Sequence, residues 1–143
     1  MIGENELNLL YNITEKNNGT VFECTADNGD IKEICKCLIY TDRSHKIWTI
    51  SSWFTKNGYG NHGIGKETMY NTLKHIYDKF GYPDEIKYIW NGTNEYVMDW
   101  LAENFDAVCD CPIAVQKTQS DDDWLSHMYT LNAEKVLKYF RCA

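Results

Sequence analysis

The residues with the clearest chemical potential form one loop, Asn57-Gly58-Tyr59-Gly60-Asn61-His62-Gly63-Ile64-Gly65-Lys66. Behind it, Met69, Leu73, Ile76, Tyr77 and Phe80 recur at the helical period until Gly81 and Pro83 stop the segment. A helix that opens out of a glycine loop can bind an anion. Its first N–H groups have no acceptor within the helix, and the aligned peptide dipoles add partial positive charge. With no side chains at Gly63 and Gly65, phosphate oxygens can approach those amides. Lys66 adds a formal charge at the rim, and His62 adds a donor. The plain alternative is a turn joining two elements, because Gly-x-Gly alone is a weak signal. The loop lacks the Lys-Ser/Thr ending of a Walker loop and the third glycine of a dinucleotide fingerprint.

A second constellation is the cysteines at 24, 35, 37, 109, 111 and 142. The pairs Cys35/Cys37 and Cys109/Cys111 could be read as four zinc thiolates, but structural zinc favours wider spacing on loops. Both pairs fall in strand-like text, where alternate residues share a face. Buried reduced thiols are the expectation, with no metal.

The elements around the loop follow from pattern. Glu6 to Lys16 has Leu7, Leu10, Tyr11 and Thr14 at helical spacing before Asn17-Asn18-Gly19, which favours a helix and leaves a strand as the alternative. Thr20–Ala26 and Ile31–Tyr40 read as strands joined across Asn28-Gly29, and Lys46–Thr55 as a third. Glu85–Trp90 reads as a strand, and Thr93 or Asn94 caps a helix with Val97, Trp100, Leu101 and Phe105 on one face. Val108–Thr118 and Trp124–Leu131 suggest a hairpin, and Ala133–Phe140 a closing helix. The expected fold is α/β (α+β): one domain over 1–143, with a mixed, largely antiparallel sheet flanked by helices.

Composition bounds the partners. In 143 residues, hydrophobic residues make up 43% and charged residues 24%, an ordinary globular balance. The net charge of −7, from 21 acidic against 14 basic residues, argues against non-specific nucleic-acid binding. It leaves room for a small anion at a local basic patch. The opening residues lack the basic and apolar regions of a secretion signal, and no stretch approaches the roughly 20 apolar residues of a membrane span. A cytoplasmic protein without membrane contact is expected.

These residues resemble a known family. The strand Ile47–Thr55, the loop Gly60-Asn61-His62-Gly63-Ile64-Gly65-Lys66 and its helix look like the Gln/Arg-x-x-Gly-x-Gly/Ala motif of the GCN5-related N-acetyltransferases. Strand Ile86–Trp90, Asn94 and a helix ending in Asn104-Phe105 resemble the next motif, and the likeness runs over roughly residues 20–131. The resemblance implies a CoA thioester, acetyl-CoA, as acyl donor. Backbone amides of Asn61, His62, Gly63, Ile64, Gly65 and Lys66 would hold its diphosphate. Phe54 and Thr55 would pair with the pantetheine arm where two strands part, and Asn94 would lie near that arm. The implied activity is acetyl transfer to a primary amine by direct attack, the amine itself being undefined.

The sequence departs from the family pattern in several places. Gly60 stands where the family has Gln or Arg. His45–Thr55 contains no Glu to act as base, leaving Glu33 and His127 as substitutes. Trp100-Leu101 occupies the usual place of the acid Tyr, leaving Tyr96 or Tyr129. The N-terminal part is short, so the acceptor side is either open or completed by a second copy as a homodimer. The alternative function keeps the fold without turnover, as a CoA-binding or protein-interaction module of phage or mobile-element type.

Overall fold

The computed structural model describes residues 9–56, 58–60, 63–90, 95–112 and 127–143. In chain order they form β1 (Leu10–Lys16), β2 (Val21–Asp27), β3 (Cys35–Thr41), β4 (Ile47–Thr55), α1 (Ile64–Phe80), β5 (Glu85–Trp90), α2 (Glu95–Phe105), β6 (Val108–Pro112), β7 (His127–Leu131) and α3 (Ala133–Tyr139). The strands make one sheet in the order β1-β2-β3-β4-β5-β7-β6. Neighbours are antiparallel except β4 and β5, which run parallel and therefore need the α1 crossover. The mixed, largely antiparallel sheet flanked by helices agrees with expectation.

The first segment corrects the helical reading. Leu10–Lys16 is an edge strand, and Asn17, Asn18 and Gly19 (φ 53, 57 and 76°) turn it directly into β2. Left-handed residues close hairpins as readily as they stop helices, so the turn chemistry was correctly seen but served another purpose. The β2–β3 connection is also longer than a two-residue turn and occupies 28–34, where the Asn28 side-chain oxygen accepts from the N–H groups of Asp30 and Ile31.

A bulge in β4 governs the rest. Leu38 pairs with Ser52 but Ile39 pairs with Ile50, so Ser51 is an extra residue. Cross-strand partners share a face. The side chains turned toward α1 are therefore Phe22, Cys24 and Ala26, then Cys35, Cys37 and Ile39, then Trp48, Ile50, Trp53 and Thr55. Without the bulge, Phe54 rather than Trp53 would face the helix. On this face Phe22 packs edge-on to Phe80, and the Cys37 thiol lies 3.7 Å from the Met69 sulfur. Leu101 and Phe105 of α2, Val136 and Leu137 of α3, and Phe140 just beyond it join the same buried cluster, so all three helices gather here. Glu15 of β1 ties the edge strand to α1 through Lys79 (2.7 Å) and His75 (3.0 Å), which hold its carboxyl below the usual range.

The opposite face is covered by no helix among the described residues. It carries exposed Leu10, Tyr40, Phe54 and Val108 beside the ion pairs Lys87–Asp110 (2.8 Å) and Lys36–Glu23 (3.4 Å). Among the described residues, no helix is long and apolar enough to cross a membrane.

The cysteine pairs lie far apart. β3 and β6 are four strand spacings from each other, roughly 19 Å at the usual separation. Cys35/Cys37 and Cys109/Cys111 cannot share one ion. Burial pushes the Cys24 thiol up to about 11 and Cys37 higher still, so both stay protonated at neutral pH, whereas Cys109 is exposed. At pH 8, a disulfide reagent should modify Cys109 in the native protein and reach Cys24 and Cys37 only on unfolding. Mass mapping of the labelled cysteines checks this. Leu73→Ala, which empties a fully buried site under α1, should cost about 2–5 kcal/mol in urea denaturation.

Candidate functional site

Two features meet at the C-terminal end of β4. The first is a notch in the sheet. The parallel ladder between β4 and β5 runs from Ile47↔Glu85 to Ile50↔Tyr88 and stops. β4 continues to Thr55 paired only with β3, while Ile89 and Trp90 continue paired only with β7. The edges of Ser51–Thr55 and of Ile89–Trp90 that face each other therefore have no strand partner among the described residues. The bulge at Ser51, one residue past the last pair, bends β4 at the point of parting.

The second feature is the mouth of α1. Gly63 is its N-cap, in the left-handed conformation (φ 75°), and no side chain caps the turn. The first helical bond in this turn runs from the Glu67 N–H to the Gly63 carbonyl at 3.0 Å. Among the described residues, the N–H groups of Ile64, Gly65 and Lys66 have no partner. Three parallel donors at the positive end of a 17-residue helix form a ready site for an anion.

The mouth is fixed to the notch by Trp53. Its indole N–H donates to the Gly65 carbonyl at 2.9 Å, joining the free stretch of β4 to the first turn of α1. Gly65 has a further role. A Cβ there would lie 3.2 Å from Thr55 Oγ1 and 3.6 Å from the Trp53 indole nitrogen, so its missing side chain lets the helix approach the sheet. At Gly63, by contrast, a Cβ would meet nothing within 4 Å, and glycine is required there by its positive φ.

The structure brings Thr55, Gly63, Ile64, Gly65 and Lys66 together. Gly63, Ile64, Gly65 and Lys66 form the mouth; Ile64 is buried and Lys66 is exposed, its ammonium 4.7 Å from the Tyr139 ring centroid. Thr55 faces the helix, its hydroxyl donating to the Cys35 sulfur at 3.5 Å, and Phe54 is exposed on the opposite face. Gly60 lies in the loop with open space around it. Asn61, His62 and Asn94 lie outside the described residues, as do the side chains of Tyr96 in α2 and His127 in β7.

Glu33 stands in the β2–β3 connection in a left-handed conformation (φ 50°). Its carboxylate is half exposed and 3.6 Å from Lys36, which also binds Glu23 on the helix-free face. Tyr129 is buried beside β5, and burial raises its phenol. Sequence reasoning missed Trp53 and the bulge. The indole beside Phe54 was visible, but the one-residue phase shift that aims it at α1 leaves no mark on the alternation.

Gly65→Val should therefore lower the melting temperature clearly, since overpacking against Thr55 and Trp53 costs roughly 1–3 kcal/mol. Gly60→Ala should leave it unchanged. Thermal denaturation followed by circular dichroism checks both.

No protein-family model matches the sequence, and no curated protein matches it. Solved structures do match by fold. Nourseothricin acetyltransferase is 10% identical, with 87% of this chain and 84% of that chain covered and a TM-score of 0.61. An acetyltransferase of the GNAT family from Staphylococcus aureus is 18% identical over 81% of this chain and 70% of that one, with a TM-score of 0.58. Arabidopsis thaliana Naa50 in complex with the bisubstrate analogue CoA-Ac-MVNAL is 16% identical over 76% and 70%, with a TM-score of 0.53. At these identities the likeness is one of fold. The seven-stranded sheet, its parting at β4 and β5, and the glycine-led α1 give this chain the fold of the GCN5-related N-acetyltransferases, the GNAT superfamily.

Proposed function

We propose that the chain, as one domain over residues 1–143, is an N-acetyltransferase that takes the acetyl group of acetyl-CoA to a primary amine. One observation carries the reading: the β4–β5 ladder ends at Ile50 and Tyr88, beside a helix mouth whose first-turn N–H groups have no partner among the described residues. The amides of residues 61–66 hold the diphosphate, and Lys66 adds charge at the rim. The free edge at Phe54 and Thr55 pairs with the amide-bearing pantetheine arm as an added strand would. Similarity to a fold neighbour solved with a CoA bisubstrate analogue supports CoA as the ligand.

When bound, the thioester supplies an acyl carbon whose bond to sulfur breaks as the amine nitrogen bonds to it, the ammonium losing its proton and the thiolate gaining one. The chain's own contribution is chiefly alignment of the reactants, which is worth several kcal/mol. Tyr96 and Asn94 belong to this proposed site, Tyr96 as the phenol offered to the thiolate. Glu33 is the proposed base only through water, since its carboxylate is engaged by Lys36. β1 turns straight into β2 and the second sheet face is helix-free among the described residues. The acceptor side is therefore open, or closed by a second copy.

A second reading rests on one specific observation: among the described residues, the free stretch Ser51–Thr55 carries no carboxylate or imidazole. That favours a CoA-binding module without turnover. Calorimetry with acetyl-CoA and CoA, followed by thiol release with peptides, polyamines and aminoglycosides, separates the two. The enzyme reading predicts binding of both nucleotides and thiol release with at least one amine class. Binding without release leaves the module, and absence of binding removes both readings.

Gly63→Glu should abolish CoA binding while the circular dichroism spectrum persists, because it adds a carboxylate at the mouth and backbone strain of only about 1–2 kcal/mol. Retained affinity would disprove the loop assignment. Glu33→Gln should lower the transfer rate at pH 7 by less than the ~10²-fold typical of losing a general base, with KM unchanged.

A further inference from the structure

The mouth of α1 opens sideways into a cavity of about 470 Å3, walled on the far side by the end of α3 and the turn after it. That volume is in the roughly 300–1,000 Å3 range of small-molecule sites. Gly63 and Lys66 line it and also form the mouth, so the two spaces are continuous; Tyr70 and Phe140 add ring surface, and Arg141 stands at the end. Arg141 is held in a left-handed turn (φ 59°), its own N–H bonded to the Lys138 carbonyl at 3.1 Å and the next N–H bonded to Leu137 at 2.8 Å.

The charges here are uncommitted. Lys36, Lys74, Lys79, Lys87, Lys135 and Lys138 each lie within 4 Å of a carboxylate. Among the described residues, Lys66 and Arg141 have no such partner, a state they share with Lys16, Lys32, Arg43, Lys46 and Lys56, but they alone of these line this cavity. Lys66 leans on the Tyr139 ring of α3, toward the Arg141 side of the helix. Glu67 also lines the cavity, so the two cations share it with one carboxylate.

Two cations and two rings on one cavity, which shares Gly63 and Lys66 with the proposed diphosphate site, suit a phosphate monoester carried on a nucleoside. Such a group is close to dianionic at neutral pH, and a guanidinium can grip it with two parallel hydrogen bonds. We infer that Arg141, with Lys66, binds the ribose 3′-phosphate of CoA and makes the chain selective for CoA over dephospho-CoA. The inference rests on the CoA reading above, and adds a residue that no part of the glycine motif contains.

Isothermal calorimetry with CoA and with dephospho-CoA tests it. The wild-type chain should prefer CoA by roughly tenfold to a hundredfold, the range that charge-assisted hydrogen bonds support. Arg141→Ala should bring CoA affinity down to the dephospho-CoA level and leave dephospho-CoA affinity as it was, and Arg141→Lys should restore part of the preference. Equal wild-type affinity for the two ligands would overturn the inference and leave the CoA site intact. So would an Arg141→Ala variant weakened equally toward both. Failure of the wild-type chain to bind either ligand would overturn the CoA reading itself.

Discussion

The constraint on which the rest depends is that β4 has a sheet partner on both sides for only part of its length. A strand inside a sheet satisfies its backbone groups on two edges, and one that leaves its neighbour must find other partners or stay open. Here the β4–β5 ladder ends after four residue pairs, where an extra residue, Ser51, bends the strand. Beyond that point, among the described residues, β4 pairs with β3 alone. The opening is built into the register and needs no motion.

The same bulge decides what stands over the opening. By shifting the alternation one place, it turns Trp53 and Thr55 toward α1 and leaves Phe54 on the other face. Trp53 then donates to Gly65, and Gly65 has no side chain to keep the helix away. Buried Thr68 and Thr72 return their hydroxyls to the carbonyls of Ile64 and Thr68 at 2.7 Å, so the helix starts on a face without loose polar groups. Among the described residues, the backbone donors of its first turn, at Ile64, Gly65 and Lys66, have no partner. With α2 and α3 packed on the same side, the molecule has one thick helical layer and one sheet face without helices among the described residues.

Much of this was legible in the residues, for identifiable reasons. β5 and α3 carry strong patterns, and their boundaries agree with expectation to within a residue. The helix after the glycine loop begins at Ile64 because Gly63 alone takes the left-handed cap cheaply. The first segment misled because Leu10, Tyr11 and Thr14 also fit a helix. As an edge strand covered on one face only, it shows just Tyr11 and Ile13 as its buried phase. The bulge, the role of Trp53 and the placement of Arg141 depend on contacts between distant parts of the chain, and nothing local encodes them. At Gly65 the sequence suggests only room for a phosphate, whereas the missing side chain also serves helix–sheet contact.

A CoA molecule with its diphosphate at the mouth of α1 and its arm along the open edge of β4 must perturb the backbone amides at both places. Amide chemical shifts during a CoA titration of the nitrogen-15-labelled chain report this directly. The largest movements should fall on Ile64, Gly65 and Lys66, with a second group on Ser52 through Thr55. Saturable shifts centred elsewhere, with those seven amides unmoved, would contradict it.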